Sequence, residues 1–231
     1  MEPTRRPALR GSAVGWERVA VLGGLAMLAL LIVSELLPGG ASSADPPAAI
    51  LDYYRQHHAI ALVADYVAFV ATLPFIAFVA GFASMVRRLS DRAAALGPVL
   101  VSAGLVGFGF ELAATSIEVA LASGGYALTS AGVVAILYWV ASRLFYTSVL
   151  LLGCFMTAAV VAAWTGLPAL LRWAGAAAAG LLVVGSFAIA DPHGPLGSLY
   201  FVGYGLMGMW MALAAVYALW PGTVAEVEAA A

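Results

Sequence analysis

The chain has 231 residues, of which 64% are hydrophobic and 10% charged, with a mean hydropathy of +1.01, whereas a soluble domain carries about 25% charged residues. This is the composition of an all-α, polytopic membrane helical bundle, since a helix satisfies its own backbone in lipid. A net charge of -2 leaves no basic face for nucleic acid, the absence of asparagine excludes N-glycosylation, and the single Cys154 excludes an intrachain disulfide or a cysteine metal cluster.

A membrane-crossing helix needs roughly 20 mainly apolar residues, and six stretches meet that need. After an N-terminal tail over 1–18, which holds Arg5, Arg6, Arg10 and Arg18, the first runs from about 19 to 37 and closes at Pro38-Gly39-Gly40. It lacks a following small-residue cleavage site and carries Glu35 near its end, so it reads as an uncleaved helix. Asp45-Pro46-Pro47 then opens a short helix through Tyr53-Tyr54-Arg55, expected to lie on the outer surface with its tyrosines at headgroup level.

The second stretch covers about 59 to 85 and contains Pro74, and the third covers about 96 to 121 and ends at Ser123-Gly124-Gly125. A fourth occupies about 143 to 164, with Ala131 to Ser142 before it as an interfacial turn or an extension beyond the bilayer. The fifth and sixth lie at about 173 to 190 and 199 to 220, and 221–231 forms a C-terminal tail. Gly203, Gly205 and Gly208 among Met207, Met209 and Met211 mark the sixth as a closely packed helix.

Eight arginines fall in the N-terminal tail and in the loops after the second and fourth stretches, against Arg55 and Arg143 on the other side. The positive-inside rule then puts both termini in the cytoplasm. Heavy use of alanine, glycine and arginine points to a bacterial plasma (inner) membrane.

The chemistry lies in ionisable residues near the outer face. Counting 1.5 Å per residue, Glu35 and Glu111 fall in the outer half of the hydrocarbon, and Asp65, Glu118 and Arg143 near its outer edge. Glu111, Thr115 and Glu118 share one face of the third helix, which continues through Gly107 and Ala103. Arg143, Tyr146 and Thr147 form a comparable stripe on the fourth, so Glu118 and Arg143 are the expected ion pair. Without a cation, Glu111 is expected as a neutral acid, a proton carrier or a hydrogen-bond donor to Tyr146. Ion pairs of this kind also serve simply to fix helix register, and Glu35 and Asp65 read equally as hydrated surface carboxylates.

His193, in the turn-forming Asp191-Pro192-His193-Gly194-Pro195, together with His57 and His58, is a weak candidate metal set. Adjacent histidines on a helix point about 100° apart. No P-loop, nucleophile elbow, H-E-x-x-H or dinucleotide fingerprint occurs. No cofactor is expected and no catalytic residue is assigned.

The first stretch ending in Leu37-Pro38-Gly39, the outer Tyr53-Tyr54-Arg55-Gln56-His57-His58, and Leu167-Pro168-Ala169-Leu170-Leu171-Arg172-Trp173-Ala174-Gly175 at the fifth helix resemble the uncharacterised bacterial multi-pass membrane proteins grouped as DUF4386. That resemblance implies architecture and topology and brings no activity. Three functions stay open: binding of a small molecule, proton or cation in an outward-facing polar cavity; a non-enzymatic subunit with a membrane-protein partner; and an intramembrane enzyme acting on lipid.

Overall fold

The computed structural model describes residues 15–35, 37, 40–43, 45–89, 91–190 and 195–220, without the side chains of Leu31, Ser34, Glu35, Arg92, Pro195, Gly197 and Ser198. The described chain is helical. It comprises α1 (Trp16–Glu35), α2 (Pro47–Arg87), α3 (Asp91–Ala122), α4 (Ala131–Ala163), α5 (Ala169–Ser186) and α6 (Pro195–Leu219), with short 3-10 turns at Gly125–Ala127 and Phe187–Ile189. Helices α2 to α6 are long and apolar enough to cross a membrane.

Each helix packs on the next in sequence, α1 closes the ring against α6, and α2 meets α4 across the middle. The principal core runs along this ring and includes Phe75, Phe78, Phe82, Phe155, Met207 and Trp210. Phe75 stacks on Phe108 with centroids 4.0 Å apart, and the Trp210 indole N–H donates to the Leu171 carbonyl at 2.8 Å, so the buried indole is satisfied. Helix α1 enters where α2 presents Pro74: a Cβ on Gly23 would lie 2.1 Å from the Pro74 carbonyl oxygen, so only glycine permits this approach.

One end of the ring is flush. There Arg88, just past α2, donates from both terminal nitrogens to the two carboxylate oxygens of Glu17 at 2.7 and 2.6 Å. Glu17 is 2% exposed, and the paired carboxylate holds the Arg88 guanidinium above its ordinary pKa.

Helix lengths explain the other end. At 1.5 Å per residue α2 is about 61 Å long and α3 and α4 about 48–50 Å, against about 30 Å of hydrocarbon; α1 and α5 have only 20 and 18 residues. The surplus projects beyond the ring as a three-helix head with its own core of Ile50, Leu51, Tyr54, Leu121 and Val134. One sequence expectation changes here. The proline-started helix at Pro47 is not a separate surface element but runs unbroken into α2, because no glycine or proline interrupts Ala48 to Leu73. Of the two readings of Ala131 to Ser142, the structure has the extension: these residues are the first three turns of α4, not an interfacial turn. The α3–α4 connection bends at Gly124, whose φ of 124° suits only glycine. Tyr138 of α4 anchors the segment before α2 by donating its hydroxyl hydrogen to the Ala41 carbonyl, and the Ser42 N–H donates to Asp45 Oδ2 at 2.7 Å.

Candidate functional site

Where the head meets the ring, a cavity of about 350 Å³ opens among four helices. From α2 come Ala64, Asp65 and Ala68; from α3 Glu111, Ala114, Thr115 and Glu118; from α4 Phe145; and from α6 Tyr200, Phe201, Tyr204 and Gly205. The small residues follow from helix periodicity, since Ala64, Asp65 and Ala68 occupy one face of α2, and Glu111, Ala114, Thr115 and Glu118 one face of α3. That α3 face also packs on α4 at Gly107, whose absent side chain leaves room for Leu151 and Leu152. Helix α6 is held close to α5 by Gly185, where a Cβ would lie 2.5 Å from the Tyr200 backbone nitrogen, and this sets Tyr200 at the cavity wall.

Glu111 is 9% exposed. Its Oε1 accepts the Tyr204 hydroxyl hydrogen at 2.7 Å, while its Oε2 is buried without a protein partner. Asp65 and Glu118 line the same cavity from α2 and α3, and Asp65 Oδ2 is likewise buried and unpartnered. Three carboxyls from two helices therefore converge on one space. Around them Phe145 meets Tyr200 edge-on at 5.6 Å and Tyr204 at 6.1 Å, and Tyr146 meets Tyr200 edge-on at 5.4 Å.

Two pairings expected from sequence are not made. Among the described residues no ion pair joins Glu118 to Arg143; the guanidinium lies 4.6 Å from the Trp139 ring centroid, with Nε and Nη1 buried and unpartnered. Equal depth on adjacent helices does not put two side chains on facing surfaces, and Glu118 lines the cavity together with Asp65 of α2 instead. Glu111 bonds Tyr204, not Tyr146, because α6 and not α4 presents a hydroxyl at its level. Tyr146 backs the aromatic wall from behind Tyr200. Tyr200 and Tyr204 went unnoticed in the sequence, although two tyrosines four apart at the start of a helix are a readable polar face.

The remaining candidates lie elsewhere. His57 stacks on Tyr53 at 5.2 Å and donates from Nδ1 to the Tyr53 carbonyl, while His58 sits 5.7 Å from the Tyr126 ring, so the two diverge. Among the described residues no three histidine, cysteine, aspartate or glutamate side chains form a group able to hold a metal ion. Asp191 and His193 lie outside the described residues, as does the Glu35 side chain, although the α1 backbone reaches that residue. Cys154 is exposed on α4, away from the cavity. No family model, curated protein or solved structure matches the chain.

Proposed function

We propose that this chain is a six-span bacterial inner-membrane protein with both termini cytoplasmic, and that the carboxyl-lined cavity binds a small positively charged molecule from the outer side. One observation carries the reading: Glu111 Oε2 and Asp65 Oδ2 are buried, face the same cavity and have no protein partner. An unsatisfied buried acceptor costs about 1–3 kcal/mol, more when charged, and a bound donor removes that cost. The arginine distribution in the sequence supports the orientation, with eight in the N-terminal tail and the loops after the second and fourth spans against Arg55 and Arg143 on the other side. Glu111 lies about 27 Å along α3 from Ala93, so in this orientation the cavity sits in the outer part of a hydrocarbon layer about 30 Å thick. A ligand from outside reaches it past the head, without crossing the apolar half of the ring.

The test is native mass spectrometry of the protein released gently from its own membrane, alongside Glu111→Gln. A small bound mass on the wild type that is absent from the variant is the expected result. Equal spectra, with no small molecule retained by either protein, remove the reading.

A further inference from the structure

The cavity presents its unpartnered acceptors at two levels. Phe75 of α2 stacks on Phe108 of α3, and the two helices run antiparallel, so Asp65, ten residues before Phe75, stands level with Glu118, ten residues after Phe108. A second contact brackets this register: His58, seven residues before Asp65, meets the ring of Tyr126, eight residues past Glu118. Glu111 lies seven residues from Glu118 on the same helix, which puts it about 10 Å further from the head at 1.5 Å per residue.

Between the two levels the α2 and α3 walls carry the small side chains of Ala68, Ala114 and Thr115. At the inner level Glu111, 9% exposed, accepts the Tyr204 hydroxyl hydrogen through Oε1 and keeps Oε2 for another donor. Asp65 Oδ2 at the outer level is also buried and open to a donor. A single inorganic cation cannot serve both, because its oxygen ligands stand within about 2.6 Å of it. A single ammonium likewise satisfies one level and leaves the other acceptor buried without a donor. Two donors joined by an apolar chain match the whole sequence of acceptor, methyl-lined gap and acceptor. The donors are cations by charge complementarity, since among the described residues the lining holds three carboxyls and no basic side chain.

We propose that the cavity takes a linear diammonium, with one end on Asp65 Oδ2 and the other on Glu111 Oε2. This deepens the cavity reading above and rests on it. The acceptors stand about 10 Å apart along the helix axis, and each charge-assisted contact of about 2.8 Å lies partly across that axis. About 6–9 Å then separates the two nitrogens, the span of a chain of about four to six carbons at about 1.5 Å per bond. A space of about 350 Å³ lies in the range of such small organic ligands. No covalent bond is made or broken, and the ligand is held by its two ends with its methylenes against the alanines.

The probes are pentane-1,5-diammonium, the one-ended pentylammonium, propane-1,3-diammonium as a dication too short to reach both levels, and uncharged pentane-1,5-diol. Each is titrated calorimetrically into the full chain in nanodiscs of a zwitterionic lipid, with empty nanodiscs as the blank. The expected result is that pentane-1,5-diammonium binds at least about tenfold more tightly than any of the other three. Glu111→Gln and Asp65→Asn, close in shape to the wild type and checked for folding by thermal unfolding, should each bring it down to the affinity of pentylammonium. Where a variant does not fold, the wild-type series decides alone. Pentane-1,5-diammonium matched by pentylammonium or by propane-1,3-diammonium overturns the two-ended site and leaves the cationic cavity standing. Equal binding of the diol, or binding of no probe, overturns the diammonium assignment, and the cavity reading is then judged by the mass spectra alone.

Discussion

Tyr204 of α6 donates a 2.7 Å hydrogen bond to Glu111 of α3, although these two helices do not pack on one another. The bond spans the cavity and is a direct polar link between its α3 and α6 walls. A hydrogen bond to a buried acid contributes about 1–3 kcal/mol, so Tyr204→Phe is expected to lower stability by about 1.5 kcal/mol. In thermal unfolding, Glu111→Gln and Tyr204→Phe together should depart from additivity by at least about 0.5 kcal/mol; strict additivity would mean that the two residues act independently.

The Glu17–Arg88 pair predicts an asymmetric result. Arg88→Ala removes both of its hydrogen bonds to the buried Glu17 carboxylate and should cost about 2 kcal/mol, below the figure for a fully buried pair because the arginine is half-exposed. Arg88→Ala combined with Glu17→Gln should recover much of that loss. The pH dependence follows from the raised guanidinium pKa: the stabilisation is complete below the ordinary arginine value and is lost only above the raised one. Stability attributable to Arg88 should therefore be flat from about pH 7 to about pH 10, as read from denaturation midpoints of wild type and Arg88→Ala. A decline of the difference across that interval would contradict the assignment.

Gly23→Ala drives a methyl group into the Pro74 carbonyl, a backbone atom that cannot rotate away. Overpacking of this kind costs about 1–3 kcal/mol and occasionally more. Gly205→Ala, where a Cβ meets nothing within 4 Å, should change the unfolding temperature little. Equal effects would show that α1 does not seat against α2 as closely as Gly23 implies.

Orientation is testable with single cysteines in a Cys154→Ala background. Ser123→Cys, in the exposed α3–α4 turn of the head, should react with an impermeant maleimide added to intact cells. Trp164→Cys, just past α4 at the opposite end, should react only after the membrane is opened. The reverse pattern would invert the topology and place the cavity towards the cytoplasm.

Hydrophobic length made the helices legible, and helical spacing made the α3 face legible, because Glu111, Thr115 and Glu118 recur at intervals that any helix brings together. What could not be read was which helix each face meets. Pairing Glu118 with Arg143 assumed that helices adjacent in sequence share their polar faces. In the ring α3 touches both α2 and α4, and Asp65 of α2, not Arg143, lines the cavity beside Glu118. Tyr204 depends on a contact 93 residues distant in the chain, which no local pattern signals. The head was hidden for a related reason: Tyr53, Arg55 and the two histidines lower the hydropathy of the first turns of α2 without breaking its helix.

Closure of the ring by α1 against α6 has a consequence for biosynthesis. Helix α1 leaves the ribosome well before α6, so its second flank stays uncovered by protein until α6 follows. Tyr200 and Tyr204 arrive on α6 as well. A nascent chain stalled after α5 thus holds Asp65, Glu111 and Glu118 without the wall that completes their pocket, so the docking of α6 is also the moment at which the candidate pocket forms.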